Sequence, residues 1–196
     1  NTLTVRATDQ LGNFREVELT VILDETDPLL TVSEPAVGLL TDQVQVTVAG
    51  SVSDERNVTL LLNARPAAVD VAPGPFSFQA SLDEGTNQLT IEAVDLAGNL
   101  AAQTRTVVSD QSPPIITIDS PPPDSATADA AITVSGVIVD HSPVIATVNG
   151  SPMTLDAAGG FSESVPLSEG DNLITVEATD AFGRQASSAL SVFRDS

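Results

Sequence analysis

The chain has 196 residues, with 27 acidic side chains against seven Arg and no Lys, Cys, Trp or Tyr, for a formal net charge of −20. That balance excludes nucleic acid and anionic membrane surfaces as ligands, because both need a basic patch that scattered Arg cannot supply. Lack of Cys excludes disulfides and thiolate zinc sites, lack of Lys excludes Lys–Asn isopeptide staples, and no run approaches the roughly 20 apolar residues of a spanning helix. A 41% hydrophobic content is still enough for packed cores.

From the first residue, the segment NTLTVRATDQLGNFREVELTVILD sets a pattern that returns as NQLTIEAVDLAGNLAAQTRTVVSD from Asn87 and NLITVEATDAFGRQASSALSVFRD from Asn172. Internal repetition at a period near 85 residues defines the architecture before any local reading does. It divides the chain into residues 1–26, 27–112 and 113–196, carrying net charges of −3, −8 and −9, so the acid is spread rather than held in a tail. Residues 1–26 are expected to be the last two strands of a truncated unit. Their apolar alternation, Leu3, Val5, Ala7 and then Val17, Leu19, Val21, needs a cover, since an isolated hairpin is marginal in water and its edges invite pairing. Either the rest of a longer polypeptide or a neighbouring subunit would provide it.

In residues 27–112, short apolar–polar alternations between turn signals predict seven strands near 29–33, 44–53, 58–63, 67–71, 76–82, 88–95 and 100–109. Leu89, Ile91 and Ala93 face one way and Gln88, Thr90 and Glu92 the other, and the segment from Leu173 repeats the alternation. Asn149-Gly150, Asn63-Ala64, Gly85 and Gly170 mark turns. Seven short strands in a unit of this size predict an all-β fold of tandem immunoglobulin-like seven-strand antiparallel sandwiches.

The run GTNQLTIEAVDLAGN, the NG-type hairpin followed by a G-x-F strand start, and the linkers SDQSPPIITIDSP and LDETDPLLTVSEP resemble the bacterial Ig-like repeats of surface and secreted proteins. Within that group they are most similar to the glucodextranase domain B-like type. The resemblance covers the whole chain. It implies stalks, adhesins or accessory modules of secreted enzymes, outside the cell and without catalysis of their own.

The most repeated polar feature is Asp followed three residues later by Gly, at Asp9, Asp95 and Asp180. An Asp that accepts backbone N–H bonds opens a turn, and Gly takes the positive φ that closes it. A second reading uses position. In a sandwich the incoming linker and two loops meet at one pole, so Asp24, Glu25 and Asp27 are expected to converge with Asp54, Glu55 and Asp95, and Asp110 with Asp140 and Asp180. Calcium, which takes 6–8 oxygens in loose geometry, suits such a group. The first set has more acid and is the stronger expectation, although no D-x-[DN]-x-[DN]-G loop is present; solvated surface charge is the alternative. No cofactor is required.

His141 is the lone histidine and reads as a solvated loop residue. The pairs Asp54-Glu55 and Asp83-Glu84 lie at turns with no room for a glycosidase cleft. Phe76, Phe78 and Phe161 open a strand, and Phe14, Phe182 and Phe193 lie in or beside the last hairpin, so packing explains them better than sugar stacking. The expected role is a structural stalk, spacer or filament segment of a bacterial extracellular surface protein. Its partners would be neighbouring repeats of the same chain or of neighbouring subunits. The alternative is a non-catalytic accessory module of a secreted carbohydrate-active or other degradative enzyme.

Overall fold

A computed structural model describes all 196 residues as strands and connecting loops without a helix. Contacts divide the backbone into two compact units, one of Asn1–Ala36, Thr47–Ala80 and Gln88–Arg105, the other of Val37–Val46, Ser81–Asn87 and Thr106–Ser196. Strands β1 (Thr2–Thr8) and β2 (Phe14–Thr20) form a separate antiparallel hairpin in the first unit, with Thr8 opposite Phe14.

The first repeat builds two sheets. One has the order β3 (Leu29–Glu34), β5 (Gln45–Ser53), β8 (Gly74–Ser81). The other has the order β4 (Leu39–Thr41), β10 (Leu100–Ser109), β9 (Gly85–Val94), β6 (Val58–Leu62), β7 (Arg65–Val71). The second repeat has the same topology: β11 (Ile115–Ser120), β13 (Ala131–Val139), β16 (Gly160–Pro166) in one sheet, and β12 (Ser125–Thr127), β18 (Gln185–Arg194), β17 (Gly170–Thr179), β14 (Ile145–Val148), β15 (Ser151–Met153) in the other. All-β sandwiches in tandem therefore stand as the sequence predicts. Each unit gains one short strand that the alternation does not signal. The chain leaves β3 or β11, passes Pro35 or Pro121, each preceded by a cis peptide, and pairs in parallel with the last strand, Leu39 opposite Val107 and Ser125 opposite Val192. Proline has no N–H to offer a ladder, so the first strand ends there and a new one begins on the other sheet.

The alternation of β9 sorts side chains as the pleat requires: Leu89, Ile91 and Ala93 are buried. In β17 the inward set is Ile174, Val176 and Ala178, while Leu173 stands on the wet face at 67% exposure. Around them pack Leu30, Val48, Val52, Leu60 and Phe76 in the first unit, and Val134, Ile138, Phe161, Val165 and Val192 in the second. The two-residue turns at Asn63-Ala64 and Asn149-Gly150 have positive φ throughout, the geometry whose twist matches flanking strands. Each Asn Oδ1 also accepts the backbone N–H of a neighbouring strand, from Thr90 at 2.9 Å and from Thr175 at 2.8 Å.

Two glycines are dictated by close approach. A Cβ at Gly50 or Gly136 would overlap the carbonyl oxygen of Thr31 or Thr117 on the paired strand at 2.0 or 2.1 Å, with the ring of Phe76 or Phe161 next at 3.0 or 2.9 Å. Backbone cannot retreat without breaking the ladder, so Gly136→Ala is expected to destabilise the second unit by about 2–4 kcal/mol, read by thermal or denaturant unfolding.

The hairpin β1–β2 differs from its repeats in standing as a two-stranded sheet of its own and in exposure. Leu3, Val5, Val17 and Leu19 are 52–58% exposed, whereas Leu89, Ile91, Ile174 and Val176, which follow from the repeat alignment of Leu3 and Val5, are at most 2% exposed. Open ladder bonds exchange readily. Amides of residues 3–21 are expected to exchange with solvent orders of magnitude faster than those of β9 and β17, measured by hydrogen–deuterium exchange of the whole chain.

Candidate functional site: two aspartate clusters

Each cluster starts from the Asp-x-x-Gly turn. In the β9–β10 turn Asp95 Oδ1 accepts the N–H groups of Ala97, Gly98 and Asn99 at 2.7–2.9 Å, and Gly98 supplies φ 98°. In the β17–β18 turn Asp180 Oδ1 accepts those of Phe182 and Arg184, with Gly183 at φ 85°. The same construction closes β1–β2 at Asp9 and Gly12. The turn-forming reading of this motif is thus right in all three copies.

Turn formation uses one carboxylate oxygen and leaves the other to a residue four positions on. Asn99 Nδ2 donates to Asp95 Oδ2 at 2.7 Å and also to the backbone carbonyl of Asp24 at 3.2 Å. Arg184 takes the equivalent place, Nη1 donating to Asp180 Oδ2 at 2.9 Å and Nη2 to the backbone carbonyl of Asp110 at 2.7 Å. Asn99 and Arg184 were not singled out by the sequence reading. Their signal was present as Asp-x-x-Gly-Asn and Asp-x-x-Gly-Arg, with Asn13 donating to Asp9 in the first copy.

These bonds bring Asp24 beside Asp95, and Asp110 beside Asp180. The loop after β5 then adds Asp54 and the loop after β13 adds Asp140. In each group of three, carboxylate oxygens lie within 4.8 Å of one another. Glu25, Asp27 and Glu55, expected to join the first group, lie outside it; the turn that holds Asp24 or Asp54 engages that one side chain, and nothing carries its sequence neighbours with it. Asp24 and Asp54 each cap their own local turn, accepting from Thr26 and Arg56 at 3.2 Å. Asp140 Oδ1 accepts both the N–H and the Oγ–H of Ser142, at 2.7 and 3.0 Å. His141 is exposed, its ring against Gly85, and makes no side-chain hydrogen bond to the cluster.

Charge is handled differently at each member. Burial works against ionisation of Asp95 and Asp180, but it is outweighed by the donors from Asn99 and from Arg184 together with the turn N–H groups, and both ionise below the ordinary 3.8. Asp140 goes the other way: burial first, and then the adjacent Asp110 carboxyl, raise it despite the Ser142 donors. Arg184 stays protonated more firmly than a free guanidinium because of Asp180. Such an arrangement can hold a cation or a guanidinium.

Two five-plus-three-stranded sandwiches in one chain, each with its own core, define the class: a tandem immunoglobulin-like β-sandwich protein. More narrowly, the chain belongs to the family described as glucodextranase, domain B, which matches it twice, over residues 28–111 and 114–196. Among curated relatives, Bacillopeptidase F of Bacillus subtilis (strain 168) is 33% identical over 117 residues, 59% of this chain and 8% of that protein. Hyalin of Lytechinus variegatus is 28% identical over 97% of this chain and 36% of its own length. The chain therefore spans well under half of either relative. Among solved structures, the titin I-band fragment I67-I69 aligns over 87% of this chain and 66% of its own with a TM-score of 0.55 at 18% identity. DIP-gamma IG1+IG2 aligns over 87% and 99% with the same score at 14% identity. At such identities these likenesses establish the fold.

The shifts fix a pH response. A carboxyl that ionises more readily in the fold contributes stability that is complete above its ordinary value and is lost as pH falls through the lower folded value; a raised carboxyl weakens the fold at neutral pH and is relieved as pH falls. Asp180→Asn is expected to lower the melting temperature at neutral pH and to flatten its decline below about pH 3.8, the ordinary Asp value. In chelator, Asp140→Asn is expected to leave neutral stability unchanged or higher. Thermal melting across about pH 2–7 checks both signs.

Proposed function

We propose that this chain is a structural spacer, a run of tandem sandwiches in an extracellular bacterial surface protein, in which each repeat contributes length and a folded core and none contributes catalysis. The observation that carries it is the double family match on adjacent stretches, residues 28–111 and 114–196, each closing two sheets of the same order. Repetition of a complete core along one chain adds reach without adding a new surface. Similarity to hyalin across 97% of this chain supports the reading, because it runs through the successive repeats rather than along one of them. In the same reading residues 1–26 are the last two strands of a further repeat, on the grounds that β1–β2 keeps the register of β17–β18 and bears apolar side chains where those strands bury theirs.

A second reading has a specific support of its own. The family is named for a domain of glucodextranase, and one relative is named a peptidase, so an accessory module of a secreted degradative enzyme fits the same fold.

Stretching the chain between its ends tests whether it behaves as a spacer. Two independent unfolding events are expected, each releasing roughly 250–300 Å of chain at about 3.5 Å per residue, with refolding on relaxation. A single event, or irreversible collapse after the first pull, would count against the spacer role.

A further inference from the structure

Asp110 follows β10 directly and is among the most buried residues of the chain, at 0% exposure. Its backbone is fully engaged: the N–H donates to Thr41 at 2.9 Å and the carbonyl accepts from Arg184 Nη2 at 2.7 Å. Its side chain is not. Neither Oδ1 nor Oδ2 has a hydrogen-bond partner, although both are shut off from solvent. A buried carboxylate left without donors is costly and calls for a missing partner. Arg184 does not meet that need, since Nη1 stays 4.0 Å from Asp110 Oδ1 while it is committed to Asp180 at 2.9 Å.

What surrounds those two oxygens is more acid. The carboxylates of Asp140 and Asp180 lie within 4.8 Å of Asp110 and of each other. Asp140 Oδ2 is free, because only Oδ1 receives the Ser142 donors. The three side chains reach this point from separate elements, the end of β10, the loop after β13 and the β17–β18 turn. Three carboxylates and one guanidinium leave a net charge of about −2.

We propose that Asp110, Asp140 and Asp180 bind a divalent, oxygen-preferring cation of calcium size, with Asp110 supplying the buried oxygens that nothing else in the fold satisfies. The donors are all oxygens, and calcium accepts 6–8 of them in loose geometry where magnesium demands a near-ideal octahedron. Water and loop carbonyls complete the shell of a cation held by three carboxylates. The homologous group of Asp24, Asp54 and Asp95 has no buried carboxylate without a donor, since Asp24 and Asp54 are half-exposed and Asp95 is bonded through both oxygens. The second cluster is therefore the cation site, although the first lies among more acidic residues in the sequence.

The test uses the whole chain, stripped with chelator, in an Asp54→Asn background that disables the first cluster. Calcium chloride is titrated by calorimetry, with magnesium chloride as comparator, and melting is followed with and without chelator. Expected are one binding event for calcium, a melting temperature that rises with calcium and falls with chelator, and a weaker response to magnesium. Asp140→Asn is expected to weaken calcium binding by about tenfold or more, as loss of one charged ligand does, while leaving the chelated protein folded. Arg184→Asn, which installs the partner found at position 99, is expected to tighten binding severalfold, because a competing cation is removed and its hydrogen bonds are kept. If calcium and chelator leave both heat and melting unchanged in the Asp54→Asn protein and in Arg184→Asn, the cluster is an ion-pair arrangement and the proposal is overturned. Binding that survives Asp140→Asn undiminished overturns the assignment of the site.

Discussion

The bond between an aspartate oxygen and the N–H groups of its own turn governs more of this fold than its small size suggests. Asp95 and Asp180 accept two or three backbone donors each, and that closes the hairpin at a fixed residue. Once the turn is fixed, so is the register of β9 with β10 and of β17 with β18. A slip of one residue would carry Ile174 and Val176 from the core to water. The same carboxylate, through its second oxygen, holds Asn99 or Arg184, which in turn holds the backbone of Asp24 or Asp110. One local bond thus sets the turn, the register and the place where acidic side chains gather.

Most of the architecture was legible because it rests on period and repetition. Strands whose apolar residues alternate, such as β9 and β17, announce their faces directly, and the aligned Asp-x-x-Gly motifs locate equivalent hairpins. Strands β4 and β12 were not legible. Three residues are too few to show a period, and their pairing is with a strand far along the chain, so nothing local encodes it. Leu173 shows the other limit: it begins an apolar run but stands on the wet face, because the pleat counts from the turn and not from the first hydrophobic residue.

For the clusters, the sequence identified which segments converge and overestimated how many acids would meet. Glu25 and Glu55 adjoin the right residues in sequence and Asp27 lies three from one, yet only Asp24 and Asp54 are held by turns of their own. What sequence cannot count is donors. Asp24, Asp54 and Asp95 have theirs, whereas Asp110 has none.

Strands β4 and β12 run parallel to the last strand of their sandwich, Leu39 to Thr41 beside Val107 to Ser109 and Ser125 to Thr127 beside Val192 to Arg194. Tension that enters a repeat at its first strand and leaves at its last meets this ladder along its length. Parallel bonds crossed by the pulling direction are strained together, as in a lap joint, instead of being peeled one after another as at a hairpin end. A patch of three residues, rather than the whole apolar core, would then set the yield point of each link, and breaking it would expose an otherwise intact sandwich to sudden failure.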